Sequence, residues 1–154
     1  MSQSIDWHHQ EILQFVVDTK KGNCCCGNIK KNTDIQVSYE ILLPEKISIN
    51  TTDLSSIFFN LLDNAIEACS ASGNPDPEIR LSANISNGFL TVYMHNTKNP
   101  MQTFTHKTTK SEPGAHGYGL SIIEDICQKY NGSYQWIDHN NTFDSIVLLQ
   151  IKNL

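Results

Sequence analysis

The chain has 154 residues, 39% of them hydrophobic and 18% charged, which suits one domain with one filled core. Its net charge of −5 gives a nucleic-acid backbone no electrostatic footing, and no run approaches the roughly 18 consecutive apolar residues that read as a membrane span. The five cysteines are odd in number and three are adjacent (Cys24, Cys25, Cys26), which argues for a reducing compartment over a disulfide framework. The triplet lacks the spaced pairs of a zinc site and reads as a loop with incidental thiols.

In chain order, Ser4 to Lys21 reads as a helix with Ile5, Ile12, Leu13, Val16 and Val17 near one face. Gly22 to Asn32 is polar and is expected to be irregular. Ile35, Val37, Tyr39 and Ile41 alternate as a half-buried strand, which Pro44 ends. Asn50-Thr51-Thr52-Asp53 offers several N-caps for a helix with apolar Leu54, Ile57, Phe58, Leu61, Leu62, Ala65 and Ile66, fading near Ser72-Gly73-Asn74-Pro75. Ile79, Leu81, Ala83 and Ile85 alternate, Asn87-Gly88 is a favoured two-residue turn, and Leu90, Val92 and Met94 alternate back as a hairpin. From Asn96 to His116 the chain is polar, with almost no apolar anchors; so long a loop in a compact domain is commonly a functional lid. A helix from about Tyr118 to Tyr130 follows, with Leu120, Ile123, Ile126, Cys127 and Tyr130 on one face and Asn131-Gly132 closing it. Two strands, about Ser133 to Asp138 and Phe143 to Ile151, complete the chain. This order predicts an α/β two-layer sandwich: a mixed, mostly antiparallel sheet with helices on one face and a mobile lid.

Two constellations carry candidate chemistry. Asn60, Asp63, Asn64 and Glu67 fall at i, i+3, i+4 and i+7 and make one polar stripe on the helix that follows Asn50. A solvated face is the plain reading of such a stripe. Solvated faces, however, favour Lys, Arg and Glu, whereas paired amides suit ligand or hydrated-metal contacts, offering oxygen without added charge. The second is Gly114-Ala115-His116-Gly117-Tyr118-Gly119-Leu120, where glycines and a helix N-terminus favour an anion such as phosphate. Upstream, Lys107 and Lys110 bracket Thr108-Thr109, cations and hydroxyls suited to phosphate oxygens. The spacing is not that of a P-loop.

Asn60-Leu-Leu-Asp-Asn64-Ala, Phe104-x-x-x-Thr108-Thr109-Lys110 and Gly117-Tyr-Gly119-Leu, in that order, resemble the ATP-binding domain of sensor histidine kinases, a GHKL domain of the Bergerat fold. The resemblance covers about Ile35 to Ile151. Its wording is most similar to the peptide-pheromone, quorum-sensing kinases of Gram-positive bacteria. It implies ATP and Mg²⁺ as cofactors, with Asn64 resembling the family's Mg²⁺ ligand and Asn60 its companion one turn earlier. Asn96 falls where most of the superfamily has an Asp that reads the adenine amino group, a hydrogen bond that an amide oxygen can also accept. Gly114, Gly117 and Gly119 would cradle the phosphates and Lys110 would reach them. Lys107, Thr109, His116, Tyr118 and Leu120 belong to the same binding segment. Where the family writes Asp-x-Gly-x-Gly, this chain has Asn96-Thr97-Lys98-Asn99-Pro100, so the base side is formed differently.

Superfamily members that hydrolyse ATP carry a glutamate base where this chain has Asn60. An amide takes no proton, so the resemblance implies phosphoryl transfer rather than hydrolysis. His8 and His9 lack the acidic residue that follows the family's acceptor histidine, and His95, His106 and His139 read as ordinary polar residues. The resemblance then implies a remnant of the dimerisation hairpin over 1–32 and an ATP-binding catalytic domain over 33–154. The acceptor histidine would lie on a dimerisation domain outside this chain. Partners would be that domain, a response regulator and possible homodimerisation of the full-length protein, with the domain cytoplasmic in a membrane-bound kinase. A serine kinase of the anti-sigma-factor type and a scaffold of the same fold without nucleotide are the alternatives.

Overall fold

Asn50 begins the first described helix: its side chain accepts from the Thr52 N–H at 2.7 Å while its own carbonyl accepts from Leu54 N–H at 3.0 Å. A computed structural model describes residues 25–29, 35–44, 46–104 and 118–152. Helix α1 (Thr51–Ser70) buries Leu54, Ile57, Phe58, Leu61, Leu62, Ala65 and Ile66, as its periodicity predicts, and Cys69 besides. Full burial of one such large apolar side chain contributes about 1.5–3 kcal/mol. Helix α2 (Tyr118–Lys129) buries Ile123, Ile126 and Cys127, with Leu120 and Tyr130 half-buried against the same core.

Strands β1 (Cys25–Ile29), β2 (Gln36–Ile41), β3 (Glu78–Ser86), β4 (Phe89–Thr97), β5 (Ser133–Asp138) and β6 (Thr142–Gln150) form a six-stranded sheet in the order β1-β2-β3-β4-β6-β5. Among the described strands only β2 and β3 run parallel, and α1 lies in the crossover that joins them. The other pairs are antiparallel, and the turn between β3 and β4 is the expected Asn87-Gly88, both at positive φ (54° and 81°). Val37, Ile41, Ile79, Leu81, Leu90, Val92, Met94, Val147 and Leu149 alternate toward the helices, so the fold is the two-layer sandwich expected.

Two expectations change. Cys25–Ile29 is an edge strand on β2, where the polar sequence suggested irregular chain. Ladder hydrogen bonds to a neighbour hold an edge strand, so it needs no apolar alternation to announce it. The segment after Asn96 is also anchored at its start: Asn96, Thr97 and Lys98 are buried, and Phe104 packs on Phe143 with ring centroids 4.7 Å apart. The helix expected over Ser4–Lys21 and the remainder of the loop fall outside the described residues.

The two helices are tied where α1 begins and α2 ends. Asp53 Oδ2 accepts from Lys129 Nζ at 2.7 Å and from the Tyr130 hydroxyl at 2.6 Å. The Lys129 bond, with that of Tyr130, holds the Asp53 carboxyl below its ordinary range. Burial pushes the Cys69 thiol up to about 12 and the Cys127 thiol to about 11, so both behave as small apolar core groups at neutral pH.

Candidate functional site

A cavity of about 200 Å³ opens between α1, the end of β4 and the start of α2, and Asn64, Asn96 and Leu120 all line it. Three segments far apart in sequence thus meet at one concave site. Asn64 and Ala68 reach it from successive turns of α1, and Asn96 reaches it from β4. In the β4–β6 ladder Asn96 stands opposite Phe143 and Met94 opposite Ser145, so Phe143 and Ser145 share the cavity face.

Asn96 is 3% exposed, and its Nδ2 donates to the Thr97 carbonyl at 3.1 Å. That bond commits the donor end of the amide and leaves Oδ1 as an acceptor without a partner among the described residues. A buried polar atom in this state costs free energy unless something binds it. Asn60 is arranged similarly. Its Nδ2 donates to the Ser56 carbonyl at 2.6 Å, and its Oδ1 faces Gly119, where an added Cβ would stand 2.8 Å from that oxygen. Gly119 therefore lets the first turn of α2 close on the amide stripe of α1. Asn64 is half-buried, and its side chain has no hydrogen-bond partner among the described residues. Asp63 is half-buried and Glu67 exposed on the same helix.

The glycine-free stretch Asn96-Thr97-Lys98-Asn99-Pro100 needs no glycine, since none of these residues has positive φ. Asn99 Oδ1 accepts from Met101 N–H at 2.9 Å, and its carbonyl accepts from Gln102 N–H at 3.0 Å, forming a side-chain-stabilised turn. Lys98 is 8% exposed, lines the cavity, and pairs with Asp138 at 3.2 Å. Sequence reasoning missed Lys98, Phe143 and Ser145. A buried lysine has no signal in sequence, and Phe143 is picked out only by its register opposite Asn96.

Tyr118 is the first residue of α2, followed by Gly119 and Leu120. Lys107, Thr109, Lys110, Gly114, His116 and Gly117 fall outside the described residues. His95 and His139 both bond Asp144, at 2.5 and 3.0 Å, on the sheet face away from the cavity. Among the described residues no group of three or more His, Cys, Asp or Glu is placed to hold a metal ion, and no helix is long and apolar enough to cross a membrane.

Residues 49–152 match the family described as GHKL domain. The chain belongs to the GHKL domain family. This GHKL domain resembles the catalytic domain of histidine kinase ThkA in a nucleotide-free form (TM-score 0.61, 17% identity, covering 96% of this chain and 90% of that one). It also resembles the mycobacterial sensor histidine kinase MprB (TM-score 0.56, 16% identity, 100% and 97% covered). Full-length ShkA in complex with AMPPNP is a further similar structure (TM-score 0.63, 13% identity, 95% of this chain and 30% of that one). At these identities the likeness is one of fold. No curated protein sequence matches the chain.

Proposed function

We propose that this GHKL domain is the ATP-binding catalytic domain of a two-component sensor histidine kinase. It would transfer the γ-phosphoryl group to a histidine on a dimerisation domain outside this chain. The observation that carries the reading is the buried acceptor of Asn96, without a partner among the described residues, in the cavity opposite the amide stripe of α1. An acceptor-only group selects a donor, and the amino group of adenine is one. Phe104 and Phe143 supply an aromatic wall for a flat base, and Leu120 an apolar contact. Asn64 and Asn60 offer neutral amide oxygens of the kind that hold Mg²⁺ beside a triphosphate, and the ion, when bound, neutralises phosphate charge. Lys107, Thr109, Lys110, Gly114, His116 and Gly117 complete the phosphate side of this proposal.

Asn60 decides between transfer and hydrolysis. With its Nδ2 given to Ser56 and no proton-accepting group of its own, it cannot activate water, so the domain positions ATP for an imidazole acceptor. The wording around Asn60–Ala68 and His116–Leu120, which resembles the peptide-pheromone kinases of Gram-positive bacteria, supports a parent kinase of that kind, with this domain cytoplasmic and a response regulator downstream.

Calorimetric titration with Mg·ATP and Mg·ADP tests the reading. Saturable binding that weakens when Mg²⁺ is chelated is expected; no heat with either nucleotide, on folded protein, leaves the scaffold alternative standing. Phosphate release by the isolated chain should be at background, and rapid turnover would overturn the argument from Asn60. Gly119→Ala separates the site from the fold. The new methyl displaces Asn60 Oδ1, the movable end of a side chain, so stability should change by no more than about 0.5 kcal/mol. Affinity for Mg·ATP should fall about tenfold, or 1.4 kcal/mol.

A further inference from the structure

Lys98 stands where the resembling family carries a glycine, and its ammonium is bound at the end of β5 and the turn that follows. Nζ pairs with Asp138 Oδ1 at 3.2 Å and donates to the Asn140 carbonyl at 3.1 Å. Breaking such a pair leaves an uncompensated charge in a buried wall. Asp138 does not itself line the cavity, yet it touches what does. Its Oδ2 accepts from Phe104 N–H at 3.2 Å, and its Oδ1 accepts from Asn140 N–H at 2.8 Å. The Asn140 N–H, with Phe104 and Lys98, holds the carboxyl below its ordinary range, so it is charged at neutral pH. Phe104 in turn packs on Phe143, and both line the cavity with Lys98 and Asn96. One carboxylate at the end of β5 thus holds a cation and an aromatic ring of the same wall.

We propose that Asp138 is a positioning residue for base binding: it draws the Lys98 ammonium out of the space for the base and anchors the backbone that carries Phe104. This rests on the nucleotide reading above and adds to it the device that replaces the missing glycines. The moiety concerned is the flat, uncharged purine, because Lys98 and Phe104 line the cavity together with Asn96, the acceptor for the base, and Phe104 packs on Phe143, which stands opposite Asn96. The clamp joins the turn after β5 to the segment after β4, so base and sheet edge become one rigid unit.

The full chain and three variants, Asp138→Asn, Asp138→Ala and the double variant Lys98→Met/Asp138→Asn, are titrated with adenosine and with Mg·ATP. Asparagine keeps one acceptor, for the Asn140 N–H, and removes the charge together with the acceptor that Phe104 N–H uses. Asp138→Asn should weaken adenosine and Mg·ATP by the same factor, about tenfold, since the phosphate contacts are untouched. Adding Lys98→Met should recover about threefold of the lost adenosine affinity, because methionine fills the lysine stem's volume without a charge while the Phe104 anchor stays lost. A folded Asp138→Asn variant with wild-type adenosine affinity, or a double variant that recovers nothing, would overturn the proposal. Amide hydrogen exchange gives a readout without nucleotide. Asp138→Ala should speed exchange at Phe104 about tenfold while Val92, in the middle of β4, keeps its wild-type rate. Unchanged exchange at Phe104 would overturn the anchor. Wild-type protein that binds neither adenosine nor Mg·ATP would instead overturn the nucleotide reading, and the exchange result would decide the clamp separately.

Discussion

Replacing Gly132 with alanine is expected to destabilise the domain by about 3 kcal/mol, the upper end of what overpacking a filled site costs, and to lower its thermal midpoint by about 6–12 °C. An alanine Cβ there would stand 1.9 Å from the Leu148 carbonyl oxygen and 3.0 Å from its carbon. Leu148 lies in β6, paired with β4 on one side and β5 on the other. Backbone held on both sides has no rotamer to move into, so the strain falls on the sheet itself. The glycine is not required for its conformation. Asn131, at φ 51°, takes the left-handed position that ends α2, and Gly132 N–H donates to the Cys127 carbonyl at 2.7 Å to complete the terminus. Asn131→Gly is therefore a control, expected to stay within about 0.5 kcal/mol of wild type. Thermal and urea unfolding of both variants check this. A Gly132→Ala midpoint at the wild-type value would show that β6 yields where the packing says it cannot.

Asn64→Ala has the opposite profile. Binding of Mg·ATP should weaken about ten- to a hundredfold, the equivalent of about 1.5–3 kcal/mol for a polar contact to a charged group. Its dependence on Mg²⁺ should shrink with it. Stability should hold or rise by a few tenths of a kcal/mol, since Asn64 has no partner among the described residues and alanine is the better helix former. A position where the sequence forgoes helix stability is what a ligand-facing residue looks like. Calorimetry with and without Mg²⁺ measures the first effect and urea unfolding the second. Wild-type affinity in this variant would remove Asn64 from the site.

Much of this was legible beforehand because it is written in local periodicity. The buried stripe Leu54–Ile66, the caps at Asn50 and Asn131, the Asn87-Gly88 turn and the strands of the hairpin are each decided by residues within a turn or two of one another. Of the candidate site, the spacing of the paired amides on an apolar helix was legible, and the glycine cluster before the next helix lies outside the described residues except for Gly119. The edge strand Cys25–Ile29 was not, because backbone pairing with β2 holds it and leaves no alternation to read. Nor was Phe143, whose place in the cavity depends on its register opposite Asn96. Asn131-Gly132 shows the difference in one dipeptide. Its ending of α2 is local chemistry, but the reason for Gly132 is a carbonyl sixteen residues on.

The two-layer class, the helix faces and the amide stripe could be read from residue order, since each follows from side-chain spacing along one element. It took the packed fold to bring Asn64, Asn96 and Leu120 to one cavity, to close Gly119 on Asn60 and to turn Lys98 to Asp138. Those are contacts between segments tens of residues apart. They are set by strand order, register and the packing of one helix on another, and no pattern within a single segment encodes them.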